Sequence, residues 1–440
     1  MTRLGFAVHR TFHSLHSRNF RLFFFGQLVS VTGTWMQSVA SAWLVLTLTG
    51  SGVALGVQAA LNFGPIIVLG AWAGLLADRR DKRSILIGTQ TAFAVLAIAL
   101  WALVALGRVA LWEVYAITLL QGIVTAIDTP ARQSFYAEMV GPELVTNAVS
   151  LNSAVMTGTR IVGPALAGIM IATVGFAWVF AVNGLSYLAV IGGLVAMRSS
   201  DLQRTGTAGR GKGQLRAGFE YVWRTPELRR PLLWMAVVFT FCFNFSVLLP
   251  LLAKGPLRGD AGTYGVILSA MGVGSLAGAL VMARQKDPNP ARLAASTGIF
   301  GIASVLAAYA PGLRSELLAM LPVGFVSMVF MITANSTLQL TSRPSMRGRV
   351  MALYAIVFLG GTPVGAPIAG WLAEHLGPRV AIGLGGLIAL ATGGLALWSL
   401  AGRPVPLGRR ARARRREVVE VPRATGAIDA RLTTDEAVNA

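Results

Sequence analysis

Asp128, Arg132 and Arg160 place charge inside long apolar runs of a 440-residue chain. A charged side chain at mid-membrane depth costs about 2.5–3.5 kcal/mol on insertion scales, so these three require a reason. Asp128 and Arg132 are four residues apart, share a helix face and can pair. Pro130 between them lacks a backbone donor and favours a bend. Measured from a hairpin turn near Gly141, Asp128 and Arg160 differ in depth by roughly 9 Å at 1.5 Å per residue, within reach of an extended arginine. The group could be a static ion-pair brace, a gate or conformational switch, or a proton carrier at Asp128. The adjacent arginines weigh against the last.

Uncharged polar and aromatic residues inside the runs are the candidates for lining a solute cavity: Trp35, Gln37, Gln58, Asn62, Gln121, Asn152, Asn244 and Asn335. Met36, Met156 and Met331 would supply adaptable apolar surface. Each polar residue could equally serve as a helix–helix hydrogen bond; Asn62, beside Gly64-Pro65, is the strongest single candidate. His9, His13 and His16, spaced i, i+4, i+7, could hold zinc or copper on one helix face. No cysteine or carboxylate accompanies them, and an interfacial amphipathic arm is the plainer reading. The sequence has no Walker loop, metalloprotease helix or serine elbow, so neither an enzyme nor a resident metal or cofactor is expected.

The elements that must position these residues are membrane spans. The chain is 54% hydrophobic and 13% charged, where soluble domains run near a quarter charged. Twelve apolar runs approach the length of about 20 residues that a bilayer requires: 20–48, 53–77, 84–106, 111–136, 146–173, 176–197, 231–253, 262–283, 292–309, 314–340, 350–373 and 378–401. Of 38 Lys and Arg residues, 31 fall on alternate connections and the two ends. Cytoplasmic loops retain Lys and Arg, so the basic set of connections and both termini are expected in the cytoplasm. The net charge of +20 follows from that topology and suits anionic lipid headgroups better than nucleic acid. The lone Cys242 precludes an intrachain disulfide. No cleavable signal peptide is visible in residues 1–18.

The expected organisation is an N-terminal arm and six-helix bundle (1–197), a cytoplasmic linker (198–230), a second six-helix bundle (231–402) and a basic tail (403–440). Within the linker, Leu215, Phe219, Val222 and Trp223 would form one apolar stripe of a helix lying along the membrane surface. The halves resemble each other. A shift of 202 residues pairs Gly122 with Gly324, and Gly158, Gly163 and Gly168 with Gly360, Gly365 and Gly370. Duplicated halves with binding at their interface are a transporter architecture.

Several motifs carry a family resemblance. The turn Gly74-Leu-Leu-Ala-Asp78-Arg79-Arg80-Asp81-Lys82-Arg83 resembles the signature between spans two and three of the major facilitator superfamily, with Asp81 in place of the usual glycine. Asp128-Thr-Pro130-Ala-Arg132-Gln-Ser-Phe135 and Gly158-Thr-Arg160-Ile-Val-Gly163-Pro164-Ala-Leu-Ala-Gly168 resemble spans four and five of its enterobactin-exporter-like branch, the transmembrane secretion effectors. Arg347-Gly-Arg349-Val-Met-Ala-Leu-Tyr354 and Gly33-Thr-Trp35-Met-Gln37 agree, so the resemblance extends over roughly residues 15–400. It implies two six-helix bundles around a cavity that opens alternately to either side. It further implies monomeric export of a small amphiphilic molecule (drug-, macrolide- or siderophore-like) by proton antiport. Asp78, Arg79 and Arg83 would latch the cytoplasmic side, and the glycine–proline segments would act as hinges or packing elements. Thr118 stands where the superfamily often has an arginine before Gln121-Gly122, so an arginine-assisted proton relay does not carry over. An importer on the same scaffold, or a sensor that has lost transport, are the rival readings.

Overall fold

The computed structural model describes residues 12–203, 214–283 and 290–401. His9, residues 204–213 and the tail from 403 fall outside them. The described residues form fourteen α-helices: α1 Arg18–Thr49, α2 Gly52–Arg79, α3 Lys82–Ala105, α4 Leu111–Val140, α5 Val145–Val174, α6 Phe176–Val195, α7 Gln214–Arg224, α8 Pro226–Phe241, α9 Phe245–Lys254, α10 Ala261–Ala283, α11 Pro290–Ala308, α12 Leu313–Thr341, α13 Arg347–Leu376 and α14 Pro378–Ala401. Residues through Leu397 belong to one unit.

Local chemistry sets the helix ends. The Ser51 hydroxyl accepts from the Ala54 amide at 3.2 Å, and the Asp81 carboxylate from the Ser84 amide at 2.8 Å. Each satisfies a donor that the first turn leaves orphaned. Gly175 and Gly377, at φ 86° and 90°, end α5 and α13 in a conformation that side chains disfavour. These two glycines are themselves 202 residues apart.

Among the described residues, eleven spans are long and apolar enough to cross a membrane, α8 and α9 together counting as one over Pro226–Lys254. The remaining long helix, α1, has 32 residues and supplies a length compatible with a twelfth crossing. It is less apolar because Gln27, Ser30, Gln37 and Ser41 lie along it, and all four are buried against neighbouring helices. The run expected to be continuous over 231–253 breaks between α8 and α9. The Asn244 side chain donates to the Thr240 carbonyl at 2.7 Å, which a continuous helix would give to the Asn244 backbone amide. In the amphipathic α7, Val222 is buried while Phe219 and Trp223 stack at 5.5 Å with both rings half exposed.

Helix α1 packs on α5 and α6, α2 on α4, and α3 on α4 and α6; in the second half α10 and α11 pack on α12, and α8 on α13. The halves meet through two crossed pairs, α2 with α13 and α5 with α10. The matched glycines explain the pairing. Gly122 abuts the Asn62 carbonyl of α2, and Gly324 abuts the Met271 carbonyl of α10. Gly163 meets Trp35 of α1, and Gly365 meets Thr240 of α8; Gly168 meets Gly262, and Gly370 meets Gly52. The same small residues thus make equivalent contacts in each half, and helices approach most closely where a side chain is missing.

Alternate turns fall at opposite ends of the bundle. One end carries the basic turns at 80–81 and 342–346, together with the turn at 141–144. The far end carries the turns at 50–51, 175, 255–260, 309–312 and 377. Trp112, Trp178, Tyr309 and Trp371 are exposed toward the far end, the placement of an interfacial aromatic belt.

Candidate functional site

A cavity of about 390 Å³ lies between the halves and draws its walls from both, within the usual size range of small-molecule sites. One wall is aromatic. Phe239 comes from the last turn of α8, Phe243 from the break after it, Phe245 from the start of α9 and Phe358 from α13. Phe239 lies 4.9 Å from Phe358 and 5.1 Å from Phe243, ring centre to ring centre. Phe93 stacks on Tyr187 at 5.5 Å on the other half.

Trp35, Gln37, Gln58, Asn62 and Gln121 also line the cavity, as does Met331. The Gln37 carbonyl oxygen accepts from Asn183 Nδ2 at 2.6 Å, so that amide is already engaged. The side-chain amides of Gln58, Asn62 and Gln121 have no hydrogen-bond partner among the described residues. The structure does not bring Asn152, Asn244 or Asn335 into this wall. Asn244 caps the break after α8, and Asn335 accepts from Gln339 Nε2 at 2.9 Å one turn along α12. Met36 is buried in the helix packing instead. Sequence reasoning overlooked the aromatic wall, although Phe239, Phe241, Phe243 and Phe245 alternate in the chain. That alternation reads as lipid-facing apolar filler until the helix break turns three of the rings inward.

Asp128 and Arg132 form a closed ion pair. Arg132 Nε donates to Asp128 Oδ2 at 2.8 Å, a second guanidinium nitrogen reaches the same oxygen, and the third donates to Gln27. Asp128 Oδ1 accepts from Thr89 Oγ1 at 2.7 Å and Gln90 Nε2 at 2.9 Å. The cluster therefore ties α1, α3 and α4 together, and Thr89, Gln90 and Gln27 are members that the linear spacing did not reveal. Helix α4 continues through Pro130. Arg160 takes no part. It faces the cavity, its guanidinium 5.6 Å over the Trp35 ring, and its buried Nε has no hydrogen-bond partner.

The basic end holds a second buried pair, Lys82 Nζ to Glu138 Oε1 at 2.5 Å. Arg83 donates to the Leu194 and Val195 carbonyls at 2.8 and 3.0 Å and to Ser199 Oγ at 2.6 Å, capping the C-terminus of α6. Asp78 is half-buried at the end of α2, Arg79 is exposed and Gly74 is buried. Glu316, unremarked in the linear sequence, is fully buried in the first turn of α12 and both of its carboxylate oxygens lack partners.

Contact between the halves concentrates at the far end. A Cβ on Gly168 would stand 2.8 Å from the Gly262 Cα, and one on Gly56 2.5 Å from the Ala366 carbonyl oxygen. Lys254 Nζ donates to the Leu46 carbonyl at 3.0 Å, and Ser269 Oγ to the Ile161 carbonyl at 2.7 Å. Toward the basic end, Gly64, Gly70, Gly158 and Gly348 have no neighbour within 4 Å of a Cβ position.

The chain is 29% identical to the multidrug efflux pump Tap of Mycolicibacterium fortuitum, over 81% of this chain and 89% of the pump. It is 25% identical to the staphyloferrin A transporter of Staphylococcus aureus, over 60% of this chain and 66% of that protein. A crystal structure of a POT family transporter in complex with 5-aminolevulinic acid superposes with a TM-score of 0.70 at 11% identity, covering 87% of this chain and 96% of the other; at that identity the likeness shows the fold. The profile of the transmembrane secretion effectors matches residues 9–414. A cavity shared by two glycine-zipped halves, and a family match across nearly the whole chain, make this protein a major facilitator superfamily transporter of the transmembrane secretion effector family.

Proposed function

We propose that the protein exports a small amphiphilic organic molecule from the bacterial cytoplasm by alternating access, driven by proton antiport. The observation that carries this reading is the cavity between the halves, sealed at the far end by interlocked glycines. With the basic turns assigned to the cytoplasm, this is an inward-facing state, able to load from the cell. The inner membrane is the site of action, and a single chain contains a complete cavity, so the working unit is a monomer. The relatives named as a multidrug efflux pump and a staphyloferrin A transporter support an organic solute.

The hydrogen-bonded cluster around Asp128 supports a structural brace for that residue. Glu316 is the better candidate for proton coupling. It is buried with no donor to lose when it takes a proton, and Arg379 of α14 is the charged neighbour that acts on it. The basic tail and the exposed rings of α7 would rest on anionic headgroups.

Everted membrane vesicles test the reading. Fluorescent dyes, macrolides and siderophores should accumulate inside when an acid-inside gradient is imposed, and a protonophore should abolish the accumulation. Normal folding with no flux across that panel would sink it.

A further inference from the structure

We propose that Arg160 is the anchor for an anionic group on the transported molecule, so that the cavity selects aromatic organic anions. The inference deepens the transport reading and rests on it. Three observations converge. Arg160 lies in the wall of the cavity, and no carbonyl or side chain among the described residues accepts a hydrogen bond from its guanidinium. Among the described residues no aspartate or glutamate lines the cavity, and Asp128, the partner that helix depth alone would have allowed, has its oxygens taken by Arg132, Thr89 and Gln90. The third is the setting: the guanidinium lies over the Trp35 ring, while phenylalanines of the second half line the same cavity.

A buried cation is costly unless paired. The Trp35 ring offsets part of that cost through its quadrupole, but it accepts none of the five N–H donors. A carboxylate or similar oxyanion would supply both the charge and the acceptors, in the bidentate geometry that arginine favours. The phenylalanine wall would take the apolar or aromatic remainder of the same molecule. The free amides of Gln58, Asn62 and Gln121 would then serve neutral polar groups. The same inventory disfavours a permanent cation, which would meet Arg160 with no carboxylate to offset it.

The test uses the full-length protein in nanodiscs and three probes sharing one ring system: 1-naphthylacetate, its neutral amide and the cation 1-naphthylethylamine. Binding is read by displacement and by quenching of tryptophan fluorescence. Naphthylacetate should bind about tenfold or more tightly than the amide, the ratio expected for a charge-assisted hydrogen-bonded pair. Arg160→Gln should abolish that preference, and Arg160→Lys should keep part of it. Equal binding of all three probes by the wild type, no saturable binding of naphthylacetate, or a preference that survives Arg160→Gln would each overturn the anchor. Flux measured separately distinguishes the two readings. Anion binding without transport would refute export and leave the anchor standing. Transport of anionic compounds unaffected by Arg160→Gln would refute the anchor alone.

Discussion

Glu374 of α13 accepts from the Ser51 hydroxyl at 2.6 Å and from the Val53 amide at 3.1 Å, so a carboxylate of the second half caps the first turn of α2 in the first half. Anions are favoured at helix N-termini, where amides point outward without partners. The contact lies on the sealed face, and the proposed alternating access requires it to break.

Glu374→Ala should therefore shift the equilibrium toward opening at the far end. The pair is exposed to water, which weakens it, so a shift of about tenfold or less is expected. A cysteine placed at Gln58 in a Cys242→Ala background should gain reactivity toward an impermeant thiol reagent added outside the cell. Unchanged labelling would remove Glu374 from the gate.

Glycines of the same repeat should differ sharply in tolerance. Gly370→Val forces a branched side chain against the Gly52 backbone and should block far-end closure, lowering transport and raising outside labelling. Gly158→Ala meets nothing within 4 Å and should be neutral, or stabilising by up to about 1 kcal/mol through helix propensity. Transport rates and melting temperatures of the two variants check this.

Asp128→Asn leaves Arg132 buried without its counter-charge and should destabilise the first half by about 3–5 kcal/mol. Glu113→Gln disturbs a capping contact, in which Glu113 Oε2 accepts from the Ala110 amide at 2.8 Å, and should cost about 1 kcal/mol. Thermal unfolding in detergent measures both. Similar losses would mean the Asp128 cluster does not act as a brace.

Glu316→Gln should abolish accumulation driven by a pH gradient while preserving exchange of labelled for unlabelled substrate in its absence. Accumulation at the wild-type level would exclude Glu316 from coupling.

Much of the scaffold was legible in the chain because membrane solvent imposes simple rules. A backbone in hydrocarbon must satisfy its own hydrogen bonds as a helix, so run lengths give the spans and the 202-residue glycine register gives the duplication. The site was legible only in part. Trp35, Gln37, Gln58, Asn62 and Gln121 reach the cavity, while Asn152, Asn244 and Asn335 do not. All eight are polar or aromatic residues in apolar runs, and composition cannot say which way a helix is turned. Glu316 escaped notice because it sits three residues into its helix, where a linear reading assumes water; packing buries it completely.

What the amino-acid order determined alone was local and one-dimensional: apolar length, capping residues, and small residues at matched intervals. Partner choice belonged to the tertiary structure. Asp128 could have faced Arg132 or Arg160 by depth, and helix rotation closed the first pair with Thr89, Gln90 and Gln27 around it. The same rotation left Arg160 over Trp35 at the cavity wall. Charges in a low-dielectric interior interact strongly but over short, directional contacts, so their pairing is settled by how whole helices pack.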